Sequence, residues 1–298
     1  MGDGSNSENQ GTFIFRHWTV EWNGCGETYP DQQHIACWGQ EAGGYGDGAG
    51  FGGITGGHYI IEDSSFRYNT YDGLDMLYVH LPDSLIEIRR TIAAMNDGNQ
   101  IKTSGNVHVE NSIVVSQCGF FHDMPYWNNG DDCRAGGDAV VFALNPGGQA
   151  ELINSTITGN GNCLLISECA LDKICNGNEK VKLVNNIFQG QKIYWLPEED
   201  TCFAWYDDES SSPMPANPIS VAYSLITAVR FGNVNPCPGS HNLCDVNSGL
   251  ANIGINDFDA HLTASSPAID AGEVDGAPAD DIDGHLRDSY PDIGAYEQ

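Results

Sequence analysis

Basic residues are scarce in this chain. Its 298 residues include 12 Lys and Arg against 41 Asp and Glu, a formal net charge of −29. Phosphate recognition needs clustered Lys and Arg, so a nucleic-acid groove is excluded as the main function. An anionic membrane surface is excluded on the same ground. Long apolar runs are also lacking, since no stretch approaches the roughly 20 residues of a membrane-spanning helix. The opening residues, MGDGSNSENQG, have neither a basic n-region nor an apolar h-region. They read as a mature N-terminus with an added Met, the native signal being missing. No CxxC pair occurs among the cysteines, which argues against a zinc site.

What is present points to a folded, secreted chain. The hydrophobic fraction of 40% is enough for a core. The ten cysteines read as a disulfide framework in an oxidising compartment, so the chain is expected to be secreted or displayed at a cell surface. Local spacing suggests Cys25 with Cys37, Cys118 with Cys133, and Cys237 with Cys244. Cys163, Cys169, Cys175 and Cys202 remain, with three connectivities open. Glycine, at 36 residues, is well above its usual share of about 7%.

The glycines belong to a repeat. Short strand-like runs recur, each ending in a small polar residue, an apolar residue and then Asn, Gly or Asp. They are YIIEDSSFRYN (59–69), IEIRRTIAAMN (86–96), VHVENSIVVSQCG (107–119), AELINSTITGNG (150–161) and VKLVNNIFQG (181–190), with VAYSLI (221–226) a weaker last copy. Aligning Ser65, Thr91, Ser112, Ser155 and Asn186 gives spacings of 26, 21, 43 and 31 residues, and the 43 reads as two coils. Strands this short, with separators poor in helix formers, do not fit alternating strands and helices. Coils of about 20–30 residues made of strands and Asn/Gly turns predict an all-β, parallel β-helix, right-handed by the usual chirality of parallel connections. One domain spans 1–298, with β-helix coils over 12–235 and a final coil and cap over 236–298. Ile60, Ile88, Val109, Ile153 and Val184 are expected inside, and the turn asparagines in a ladder. The acidic, Ser- and Pro-rich stretch from Pro197 to Pro218 reads as a loop leaving the stack.

One region carries chemistry. Asp-Gly occurs at Asp47, Asp72 and Asp97, 25 residues apart each time, which in a β-helix predicts vertical stacking. Asp75 adds an acid near the same turn. Stacked carboxylates repel, so either some are protonated or a cation sits among them, and an all-oxygen, carboxylate-dense site suits Ca²⁺. Asp-Gly is also ordinary turn chemistry, repeated wherever a turn repeats. Strand alternation with Ile101 inward puts Lys102 outward. The 25-residue period places it over Leu77, with Asp75 as its diagonal neighbour.

Two resemblances follow. The segments SSPAIDAG (265–272) and DIDGHLRDSYPDIGAYE (281–297) resemble the closing segment of secreted bacterial right-handed β-helix proteins, and imply an end cap. The pair NTYDGLDMLY (69–78) and GNQIKTSG (98–105) resembles the paired motifs of family 9 pectate lyases. That resemblance implies Asp72, Asp75 and the upstream Asp47 as calcium ligands and Lys102 as the catalytic base. Tyr71 stands where the family has a further calcium-binding aspartate, with Asp97 or Asp63 available in its place. The implied reaction is Ca²⁺-assisted β-elimination in an acidic polysaccharide such as pectate. Arg67, Arg89, His80 and Asn99 lie in the same coils as candidate substrate-binding residues, with Arg90 a further cation. Tyr45, Tyr78 and Trp127 are aromatics that could stack on sugars. The chain is expected to act as a monomer, without nucleic acid or membrane insertion.

Two other readings share the scaffold. A non-catalytic secreted or surface β-helix would bind glycans or space domains. A polygalacturonase-like hydrolase would use paired carboxylates, as in GDDC (130–133). That family's Gly-His-Gly is absent, however, and IKT (101–103) precedes GDDC rather than following it.

Overall fold

The computed structural model describes residues 11–27, 35–37, 46–51, 53–122, 132–170, 174–208, 214–235, 237, 239 and 241–298. Each strand-like run of the sequence is two short strands joined by a bend. The first strands stack into one parallel sheet: Thr12–Arg16, His58–Glu62, Leu85–Arg89, Asn106–Glu110, Gln149–Ile153, Lys180–Val184 and Ile219–Ala222. The second strands stack into another: Thr19–Glu21, Ser65–Arg67, Ile92–Ala94, Ile113–Ser116, Thr156–Gly159, Ile187–Gly190, Leu225–Thr227 and Leu243–Cys244. A third parallel sheet closes each coil, from Ala49–Gly50 through Leu74–Met76, Ile101–Ser104, Val140–Leu144, Cys163–Cys169 and Cys202–Tyr206 to Arg230–Gly232. No α-helix occurs among the described residues, and no helix there is long and apolar enough to cross a membrane. The chain is a parallel β-helix.

The bend between the first two sheets explains the repeated polar residues. Its corner is a left-handed residue in coil after coil: Asp63, Arg90, Asn111, Asn154, Asn185 and Tyr223, with φ between 44° and 58°. Asn and Asp tolerate that conformation best. The next residue ties one coil to its neighbour. Thr91 N donates to Ser112 Oγ, Ser112 N to Ser155 Oγ, Ser155 N to Asn186 Oδ1, and Asn186 N to Ser224 Oγ. In the first copy that position is Ser64, which accepts from Trp18 N, and Ser65 pairs with Ile92. The alignment on Ser65 is therefore one residue out.

Other expectations are corrected by the register. The 43-residue spacing is one coil, because Asn106–Glu110 pairs directly with Gln149–Ile153. The surplus is an excursion after Ser116, tied by the Cys118–Cys133 disulfide. The stretch from Pro197 to Pro218 is only partly an excursion, since Cys202–Tyr206 is a full rung of the third sheet against Cys163–Cys169. In the first sheet the inward columns run Tyr59, Ile86, Val107, Ala150, Val181, Ile219 and Ile61, Ile88, Val109, Leu152, Leu183, Val221. Ile88 and Val109 are core as expected. Ile60 pairs with Glu87, and Ile153 and Val184 continue the column of Glu110, so these three face outward. A one-residue slip in an alternating strand moves a side chain to the other face.

The C-terminal segment lies along the side of the stack instead of closing its end. Ala260 and Ala295, with Phe258, Ile282 and Tyr296, pack on Ala94, Ile113 and Val115, outward residues of the second sheet. Leu250, Leu262, Ala268 and Ile293 cover Ile187 and Leu225 in the same way. The bend asparagines hold it: Asn111, Asn154 and Asn185 donate from Nδ2 to the carbonyls of Asp280, Asp292 and Glu273. An apolar outer face needs such cover, because exposed side chains there would form a contiguous patch. The disulfides join Cys25–Cys37, Cys118–Cys133 and Cys237–Cys244, and the open set resolves as Cys163–Cys202 and Cys169–Cys175.

Candidate active site

Three consecutive rungs of the third sheet build the site. Ala49–Gly50, Leu74–Met76 and Ile101–Ser104 lie side by side in parallel. Leu74 and Ile101 point into the core and are fully buried, so alternation turns Asp75 and Lys102 outward. Asp47 and Asp72 sit in the turns that lead into the first two of these strands, two residues before Ala49 and Leu74. Ligand oxygens of Asp47, Asp72 and Asp75 all lie within 4.8 Å of one another.

Lys102 is the cross-strand partner of Asp75, and not of Leu77. The coil from Leu74 to Ile101 is 27 residues long, two more than the coil before it, which runs from Ala49 to Leu74. The same two residues displace Asp97. The residue stacked over Asp72 is Asn99, whose backbone N–H and Nδ2 both donate to Asp72 Oδ1, at 2.7 and 3.2 Å. Asp97 instead belongs to the preceding turn, with its N–H donating to Asn69 O and its carbonyl accepting from Arg134 N. The three-acid cluster does not include it.

Each acid keeps an oxygen turned to the cluster. Asp47 Oδ1 accepts from Asp72 N at 3.1 Å, and Asp75 Oδ1 accepts from Leu77 N at 3.1 Å. Lys102 Nζ lies 3.2 Å from Asp72 Oδ2 and 3.8 Å from Asp75 Oδ2. Gly98 permits this crowding, because a Cβ there would stand 2.3 Å from Asp72 Oδ1.

The electrostatics follow from burial and crowding. Burial, reinforced by the charges of Asp72 and Asp75, pushes Asp47 up to about 7. Asp72, 1% exposed, is likewise raised, chiefly by burial and also by Asp75, while Lys102 and the Asn99 N–H pull it down. Burial works against the Lys102 ammonium, but Asp72 and Asp75 outweigh it and raise that group above its ordinary value. Three ionised carboxylates with one ammonium leave two negative charges uncompensated, the charge of one divalent cation. The donor set is all hard oxygen, which fits Ca²⁺ or a similar cation. The side-chain oxygen of Asn99 fits the same picture, being buried beside Asp72 without a hydrogen-bond partner.

The other candidates lie elsewhere. Arg67 is in the second sheet, bound to Glu21 through Nε and Nη2. Arg89 is in the first sheet, paired with Glu87 and Glu110. Arg90 holds Asp63 and Asp280 at the bend, which takes Asp63 away from the cluster. His80 follows the third-sheet strand, its Nε2 buried without a partner. Asp132 of GDDC pairs with His122. Tyr45, Trp127 and Asp131 lie outside the described residues.

Sequence reading missed Arg134. Its guanidinium lies over the Tyr71 ring at 4.2 Å, and Nη2 donates to the Tyr71 hydroxyl at 2.8 Å. Tyr71 adjoins Asp72 in the chain, so this arginine contacts the residue next to a cluster member although 62 residues separate it from Asp72 in sequence. The predicted Cys118–Cys133 bridge was the one available signal, because it fixes the residue before Arg134.

The fold and the site together define a parallel β-helix with an acidic, lysine-bearing cluster on its outer face. One solved structure similar to this chain is the crystal structure of pectate lyase Pel9A, which covers 96% of this chain and 88% of its own at 11% identity and a TM-score of 0.33. No family model matches the chain, and no curated protein does. The functional reading therefore rests on this chain's own side chains.

Proposed function

We propose that the chain is a secreted polysaccharide lyase that cleaves a polyuronate such as pectate by Ca²⁺-assisted β-elimination. The observation that carries this reading is the placement of Lys102 on the strand beside Asp75, against the carboxylates of Asp47, Asp72 and Asp75. Those three residues would hold the cation. When bound, Ca²⁺ would supply positive charge to the uronate carboxylate and so acidify the proton on the neighbouring ring carbon. Lys102 Nζ, as the free amine, takes that proton. The C–H electron pair becomes the C4–C5 double bond, the C4–O bond breaks, and the leaving oxygen takes a proton from water. The products are a shortened chain and a 4,5-unsaturated end.

The same geometry sets the condition for activity. With their charge turned on Lys102, Asp72 and Asp75 keep it protonated and unable to act as a base. Carboxylate charge committed to a cation no longer holds that proton. A cation also reconciles a −29 protein with a polyanionic substrate.

A second reading keeps the fold and drops the reaction. A non-catalytic glycan-binding β-helix is favoured by the same ion pairs, since Lys102 then acts only as a counter-ion to the acids. A screen of acidic polysaccharides with and without a calcium chelator, followed by the ultraviolet absorbance of unsaturated ends, separates the two. Calcium-dependent absorbance supports the lyase, and no signal from any polyuronate at any pH ends that reading.

A further inference from the structure

Arginine is scarce in this acidic protein, and five of its seven arginines are held by acids. Arg16, Arg67, Arg89, Arg90 and Arg287 each pair with a carboxylate. Arg230 donates to the Asp200 carbonyl and to Asn162. Arg134 has no carboxylate partner among the described residues. Its guanidinium contacts are the hydroxyl and ring of Tyr71, and its Nε is buried without a hydrogen-bond partner. A guanidinium with no carboxylate partner among the described residues, held on the residue next to Asp72, runs against the usual pairing of charges in a protein with 41 acids.

Its backbone is fixed from two sides. Arg134 N donates to the Asp97 carbonyl at 3.0 Å, and the preceding Cys133 is bridged to Cys118. Tyr71 then fixes the side chain, by a hydrogen bond and by its ring face. Tyr71 links this cation to the cluster: burial and the charges of Asp72 and Asp47 raise its phenol, while Arg134 and Lys102 lower it. One side chain thus feels both cations and two of the acids.

We propose that Arg134 is a specificity-determining residue that binds a substrate carboxylate next to the acidic cluster, with Tyr71 as its positioning residue. The inference rests on the polyuronate reading above and assigns the sugar acid its protein partner. A planar guanidinium matches a carboxylate in two parallel hydrogen bonds. Tyr71, where an aspartate would add a further acid, instead orients a cation. The site then has an acidic half for a metal ion and a basic half for an anion, and a chain of uronates presents carboxylates to both.

The test measures binding apart from turnover. Tetragalacturonate is titrated by calorimetry, with calcium present, into the Lys102→Ala protein and into the same protein carrying Arg134→Gln, Arg134→Lys or Tyr71→Phe. The same tetramer with its carboxyl groups reduced to hydroxymethyl serves as the neutral probe. Arg134→Gln is expected to weaken tetragalacturonate binding by about tenfold or more, Arg134→Lys by less, and Tyr71→Phe by about threefold. Binding of the neutral tetramer and of calcium should not change. Tyr71→Phe keeps the ring and so guards against a folding artefact in the arginine variants. Equal affinity in Arg134→Gln, an equal loss for the neutral tetramer, or no binding of tetragalacturonate to the parent protein overturns the proposal. If tetragalacturonate binds through Arg134 but the wild-type protein releases no unsaturated product, the lyase reading fails and the carboxylate site stands. Product release with unchanged affinity in Arg134→Gln has the opposite meaning.

Discussion

Lys102 and Asp75 are direct partners on adjacent parallel strands, with Nζ 3.8 Å from Oδ2. Removing this lysine should therefore do two things. Lys102→Ala should lower the formation of unsaturated product by about 10²- to 10⁴-fold, the usual value of a general base. Without calcium it should also lower the thermal midpoint at neutral pH, because three crowded carboxylates lose the ammonium that faces them, and calcium should restore much of the loss. Product formation by Lys102→Ala at the wild-type rate would remove the lysine from the mechanism.

Asp72 is the most deeply buried acid of the cluster, and Gly98 gives it room. Asp72→Asn and Gly98→Ala should each weaken calcium binding by about tenfold or more, the first by removing a charged ligand and the second by displacing it. Asp97→Asn, outside the cluster, should leave calcium affinity unchanged. Direct calcium titration of the three variants checks the register of the site, and a loss in Asp97→Asn equal to that in Asp72→Asn would contradict it.

Asp138, one rung beyond Asn99 in the same column of turns, gives a second pH dependence. Burial pushes its carboxyl up to about 7, against the hydrogen bonds from Cys163 N–H and Asn162. The folded protein therefore keeps a proton that the unfolded chain releases near its ordinary value. Stability from this group is complete below about pH 4 and is lost as pH rises toward 7, on the order of a few kcal/mol. Asp138→Asn should flatten that decline in denaturant melts taken from pH 4 to pH 8. A variant as pH-sensitive as wild type over this range would show that other groups govern it.

Leu152 and Ile60 test which face of the first sheet is the core. Leu152 is fully buried in the inward column, so Leu152→Ala should cost about 2–5 kcal/mol. Ile60 stands outward beside Glu87, so Ile60→Ala should cost less than about 1 kcal/mol. Equal losses in chemical denaturation would contradict the assigned register.

The sequence was legible where one rule repeats in every coil. Asn and Asp at the bend follow from its left-handed corner, and Ser, Thr or Asn after it from the hydrogen bond to the next coil. Those two demands mark the coils in sequence and suffice for a parallel β-helix. They also place Asp47, Asp72, Asp75 and Lys102 in the same few coils. Three of the disulfides were legible because each joins two cysteines that stand apart from the others in the chain, whereas Cys163, Cys169, Cys175 and Cys202 follow one another and admit three pairings.

The lengths of individual coils decided the rest. A coil of 27 residues in place of 25 moved Asn99 over Asp72, put Lys102 beside Asp75 and carried Asp97 out of the cluster. The excursion tied by Cys118–Cys133 brought Arg134 to Tyr71 across 63 residues. The C-terminal segment found its place on the flank because the outer face of the second sheet is apolar there. Local sequence fixes the backbone conformation of each turn and which residues alternate. Register between coils depends on how many residues each excursion holds, and on packing and hydrogen bonds between residues far apart in the chain, so it exists only in the folded stack.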